Sequence, residues 1–223
     1  MNANLRKILL AAITLLGVRV LIGIVWEYRL YFPPNFQTAA FLIGREETFT
    51  PLYAAAFYSH IISGPPAILL AAFLLWSSSR SALQKAHRWA GRILGVLVFA
   101  VLLPSGLWMA GRAFAGPLAG IGFASLTLST ACTLGKAISL ARRRKFALHQ
   151  QWAIRTFLLL ASPLLLRVIG GALSVSGWDI PAAYIANAWL SWLVPLAGYE
   201  VWLRSRPEQA VPRAVPARPA SES

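Results

Sequence analysis

Apolar residues in this chain are gathered into six long blocks, each closed off by polar, basic or proline-bearing segments. The blocks run from about Ile8 to Trp26, Leu52 to Trp76, Trp89 to Ala110, Pro117 to Leu140, Trp152 to Leu173 and Pro181 to Leu203. Each approaches or exceeds the roughly 20 residues that a helix needs to cross a bilayer. None alternates apolar with polar as the shorter strands of a membrane barrel do. The pattern predicts an all-α, polytopic transmembrane bundle of six spanning helices over residues 1–203. After Arg204 the chain turns rich in Pro, Ala, Arg and Ser, which predicts a disordered cytoplasmic tail over 204–223.

Cations set the expected orientation. Arg6 and Lys7 precede the first block, and Arg80, Lys85, Arg88 and Arg92 lie around the second connection. Arg142, Arg143, Arg144 and Lys145 fill the fourth, and Arg204, Arg206, Arg213 and Arg218 follow the last block. The alternate connections hold only Arg29, Arg45 and Arg112, so the balance is fourteen against three. The positive-inside rule then puts both termini in the cytoplasm. The first block carries Arg19, is long for a signal peptide and lacks a clear small-x-small cleavage site, so it reads as a retained span. The segment from about Glu27 to Thr50 is the longest connection, with Pro33, Pro34, Glu46 and Glu47.

Composition sharpens this reading. Of 223 residues, 57% are hydrophobic and 13% charged, about half the charge of a soluble domain. Lys and Arg number 21 against 7 Asp and Glu, for a net charge of +14. That balance would suit a nucleic-acid binder if the cations shared one face of a soluble fold. Here they cap apolar blocks, where anionic headgroups lie, so the expected partner is the lipid bilayer and not nucleic acid. Cys132 is the only cysteine, which excludes a disulfide framework, and within its block it reads as a small core residue.

Polar groups inside a bilayer are costly, so each one in a block is a candidate for function. His60 is placed in the outer half of the second helix, above Gly64, Pro65 and Pro66, which are expected to kink it. His87 and His149 open the third and fifth helices at the cytoplasmic edge, and Gly91 and Gly95 share a face with His87. Arg19, Arg155 and Arg167 lie within blocks, and the carboxylates near enough to answer them are Glu27, Asp179 and Glu200. Asn187, Trp189, Trp192 and Tyr199 add polar and aromatic groups to the last helix. A b-type haem needs two axial ligands at matched depth on facing helices. His87 and His149 meet that condition as ligands of the haem iron. Arg92, Arg155 and Arg167 are the expected anion partners, and Glu200 belongs to the same cytoplasmic-side cluster. His60 lies on the order of 20 Å from that edge and is read as an outer-side ligand, proton group or quinone contact. Each histidine could equally be a buried imidazole bonded to a helix carbonyl. No Ser-His-Asp set shares an evident surface, and the run Gly116, Gly120, Gly122 follows no strand, so neither a hydrolase nor a dinucleotide fingerprint is indicated.

Several of these residues also carry a likeness. Tyr58-Ser59-His60 with Gly64, His87-Arg88-Trp89-Ala90-Gly91-Arg92, Gly122-Phe123 and His149-Gln150-Gln151-Trp152-Ala153-Ile154-Arg155 with Arg167 resemble a family of predicted bacterial membrane proteins, domain of unknown function 2306. The Trp189–Trp192 stretch and Glu200 fit it too, so the likeness covers about residues 53–203. The chain departs from the family at Leu75 and Trp76, where a Gln is common, and at Ala153, where a Met is common. The resemblance implies a multi-span helical domain and brings no substrate with it. The expectation is therefore a multi-pass inner-membrane protein that binds haem b or quinone for electron transfer. The alternatives are a non-redox protein that binds or transports a small molecule or lipid, and a structural subunit.

Overall fold

The computed structural model describes residues 2–178 and 180–205. Asp179 and residues 206–223, which include most of the expected tail, lie outside the described residues. The chain forms α1 (Ala3–Glu27), α2 (Pro51–Ser77), α3 (Gln84–Val96), a π-helical segment (Leu97–Leu102), α4 (Leu103–Ala110), α5 (Pro117–Arg142), α6 (Phe146–Val175) and α7 (Pro181–Arg204). No strand occurs among the described residues beyond an isolated bridge between Tyr31 and Pro34. Five segments are long and apolar enough to cross a membrane: Asn4–Leu30, Pro51–Ser77, Ser81–Ala110, Pro117–Arg142 and Phe146–Val175. The expected sixth, α7, is long enough, but Asn187, Ser191 and its aromatic and proline residues dilute its apolar character.

Local chemistry explains the helix ends. Proline stands in the first turn of α2, α5 and α7, where its missing N–H would have had no partner anyway. The Thr50 side chain accepts from the Tyr53 N–H and caps α2. Gly177, with φ of 73°, follows the end of α6 in the left-handed region that a glycine enters without strain.

Of the interior prolines Pro65, Pro66, Pro163 and Pro195, two strand carbonyls that find other donors. Pro65 leaves the Ile61 carbonyl free, and the Tyr28 hydroxyl donates to it. Pro163 frees the Leu159 carbonyl, and the Ser162 hydroxyl donates to it at 2.8 Å. The third block is not one regular helix. It widens to π geometry at Leu97–Leu102, just before Pro104, so that the i→i+5 pattern absorbs the missing donor.

Two cores result. One is aliphatic and joins α2, α3, the π segment, α5 and α6 through Ala67, Ile68, Leu94, Val98, Leu134 and Leu160. The other is aromatic. The Tyr28–Thr50 connection folds over the N-terminal half of α2, placing Tyr31 edge-on to Phe57 at 5.2 Å and stacking Phe41 on Phe57 at 5.1 Å. Burial pushes the Tyr31 phenol above its usual pKa. Outside these cores, large apolar side chains such as Ile13, Leu15, Ile22 and Leu118 are exposed, as lipid contact requires. Cys132 is a correction to the sequence reading: it is exposed on α5 and is not a core residue.

Candidate functional site

The ends of α2, α3, α5 and α6 meet on the side expected to face the cytoplasm, and there they bring two histidines together. The His87 and His149 rings stand 6.5 Å apart between centroids, at 76° to one another. Both are partly shielded. His149 Nδ1 lies 2.9 Å from the Ala137 carbonyl on α5. A carbonyl can only accept, so Nδ1 is the donor of this contact, and in the neutral ring Nε2 carries the lone pair. His87 Nδ1 lies 2.9 Å from the Ser77 hydroxyl at the end of α2. Each ring is thus anchored through Nδ1, and neither Nε2 has a hydrogen-bond partner among the described residues. Donation of one ring N–H to a backbone carbonyl, as at His149, is how many metal-ligating histidines are oriented. Two imidazoles sharing one metal ion, with nitrogens about 2.0 Å from it, hold their centroids about 6 Å apart. Gly91 and Gly95 are covered only by the flexible ends of Leu74 and Ile138. The ring separation is thus of the size that two imidazoles on one metal ion would show.

Arg155 and Glu200 form a separate pair. Arg155 Nε donates to Oε1 at 2.6 Å and the second guanidinium nitrogen to Oε2 at 3.1 Å, a two-pronged contact. Trp152 and Tyr199 flank the guanidinium at 4.7 and 5.4 Å from their ring centroids. Arg167 pairs with Glu27 at 3.1 Å near the other end of α6. Arg92 lies over Trp89 at 5.0 Å and is exposed, with no carboxylate on it among the described residues.

His60 stands apart from the other two histidines. Its Nδ1 is 3.0 Å from the Ser105 hydroxyl, which itself donates to the Val101 carbonyl at 2.6 Å. His60 Nδ1–H is therefore the donor of that contact. The ring fits a notch at Gly106, where an added Cβ would come within 3.3 Å of His60 and 2.9 Å of the Thr127 hydroxyl. The interior face of α7 adds Ser191, which sequence reasoning did not single out, beside Asn187 and Trp192, which it did. Asn187 Oδ1, Ser191 Oγ, Trp192 Nε1 and one guanidinium nitrogen of Arg155 are buried without a hydrogen-bond partner. Asn187 is fixed by its amide, which donates to the Leu166 carbonyl at 3.0 Å. Ser77, Ala137 and Ser105 also escaped the sequence reading, because a hydroxyl or carbonyl gains its role only from the helix opposite.

Among the described residues no group of three or more His, Cys, Asp or Glu could hold a metal ion. These features define an all-helical membrane protein with apolar cores, three histidines anchored by hydrogen bonds and two arginines paired with carboxylates. The chain matches the family of predicted membrane proteins known as domain of unknown function 2306 over residues 57–203, and it belongs to that family. No curated protein and no solved structure matches it significantly.

Proposed function

We propose that this protein is a six-span inner-membrane protein, with both termini in the cytoplasm, that binds b-type haem through His87 and His149 and serves membrane electron transfer. The observation that carries the proposal is the paired imidazoles, each anchored through Nδ1 to a neighbouring helix end and left with a free Nε2. Haem held there would supply one-electron chemistry near the cytoplasmic headgroups. In this reading Arg92, exposed and without a carboxylate, pairs with a propionate, while Arg155 and Arg167 have carboxylate partners of their own. His60, about 25 Å along α2 from Ser77, serves the outer half as a proton group or quinone contact. The α7 helix completes the bundle as the sixth span, which keeps the basic connections on one side.

The test is the visible spectrum of the detergent-purified protein after haem-replete expression, oxidised and dithionite-reduced. A Soret band that His87→Ala and His149→Ala each abolish, and His60→Ala leaves, is expected. Absence of any Soret band sinks the proposal. A second reading is favoured by the unpartnered polar atoms of Asn187, Ser191, Trp192 and Arg155. Buried polar atoms without partners point to a missing water or ligand, so in this reading the α6–α7 interior takes a small polar molecule. A spectrally silent protein whose ligand binding is lost on Ser191→Ala or Asn187→Leu would favour it.

A further inference from the structure

Arg19 lies two residues from the midpoint of the apolar stretch Asn4–Leu30, about 3 Å of helix. The side of α1 that meets the protein is traced by Gly17, Val20, Leu21, Ile24 and Tyr28, which are partly shielded at helical spacing, with Gly17 toward Leu164 of α6. Arg19 is about 200° around the helix from Gly17 and is exposed. Among the described residues it has no hydrogen bond, ion pair or ring contact. The other two arginines that lie within apolar blocks are answered within the chain, Arg155 by Glu200 and Arg167 by Glu27.

A guanidinium near the middle of a lipid-facing helix costs several kcal/mol. Snorkelling does not remove that cost, because the side chain reaches about 6 Å and the half-thickness of the hydrocarbon is about 15 Å. We infer that the outward face of α1 docks a membrane-spanning helix of a different protein that carries a carboxylate at matching depth. Charge complementarity selects this occupant. A second copy of this chain is a poor one, because its in-helix carboxylates, Glu27 and Glu200, are already paired and its other acidic residues fall between or after the apolar blocks. The approach is also open. Gly23 lies one turn from Arg19 on the same outward side, with nothing within 4 Å of where a Cβ would stand. Bare backbone of this kind lets a second helix come close.

The experiment reconstitutes the full chain, donor-labelled, in phosphatidylcholine bilayers with an acceptor-labelled leucine–alanine spanning helix that holds one central Glu. Saturable energy transfer is expected, with apparent affinity at least about tenfold lower for the Gln version of the helix and for Arg19→Leu, and recovered by Arg19→Lys. Equal transfer with Arg19→Leu, or none above the Gln helix, overturns the inference. In native membranes, a photo-crosslinking residue at Ile22 is expected to yield an adduct with an Asp- or Glu-bearing span of another protein, lost in Arg19→Leu. Adducts only with lipid or with a second copy overturn it. Arg19 is exposed and makes no hydrogen bond, ion pair or ring contact among the described residues, so its substitution is expected to leave the fold intact.

Discussion

At the scale of single residues, scarcity made the ion pairs legible. With only 7 carboxylates in the chain, the sequence leaves Glu27, Asp179 and Glu200 as the candidates to answer Arg19, Arg155 and Arg167; Glu200 and Glu27 answer the last two, and Arg19 has no carboxylate partner among the described residues. The Arg155–Glu200 pair is the better shielded, with Arg155 12% exposed and Glu200 32%. Removing one partner of such a pair strands the other charge, whereas replacing both with apolar groups of similar size is nearly neutral. Glu200→Leu should therefore destabilise the protein by about 2–4 kcal/mol, and Arg155→Met/Glu200→Leu should recover most of that loss. Thermal denaturation in detergent for the wild type, both single variants and the double variant checks this. Full additivity of the two single losses would contradict it. What the sequence could not show is which atom of a histidine is free. That depends on Ser77, Ala137 and Ser105, residues with no distinguishing signal until the helices are packed.

At the scale of elements, block positions were readable and their internal repairs were not. Hydropathy places helices at the six apolar blocks, but nothing in it reveals that Tyr28, at the start of the long connection, caps the carbonyl stranded by Pro65 one helix away. Tyr28→Phe keeps the ring and removes that donor, so it should cost about 1–2 kcal/mol in the same melting assay. A larger test concerns how closely α4 and α5 approach. A Cβ on Gly120 would stand 2.5 Å from the Ala110 backbone carbonyl oxygen, and a backbone atom cannot turn aside. Gly120→Ala should therefore cost about 1–3 kcal/mol. Gly198→Ala, with nothing within 4 Å of the added atom, should be neutral or stabilise α7 by up to about 1 kcal/mol. Equal melting temperatures for the two variants would mean that α4 and α5 do not approach this closely.

At the scale of the whole molecule, the decisive quantity is the side on which the paired histidines lie. They sit where α2 ends and α3 and α6 begin, beside the basic runs Arg80–Arg92 and Arg142–Lys145. The aromatic core and the Glu27–Arg167 pair lie at the opposite end of the bundle. If α7 spans, the alternation of basic and non-basic connections closes with both termini on the side of the histidines. If it lies along the surface, the C-terminal cations follow a helix that never crosses. Single cysteines in a Cys132→Ser background separate the two cases in intact cells treated with a thiol reagent that does not cross membranes. A cysteine at Glu46 or Gly177 should label, and one at Arg143 or Ser205 should stay protected until the membrane is opened. Labelling at Ser205 without permeabilisation would leave five spans. The positive-inside argument would then account for the His87–His149 end but not for the tail.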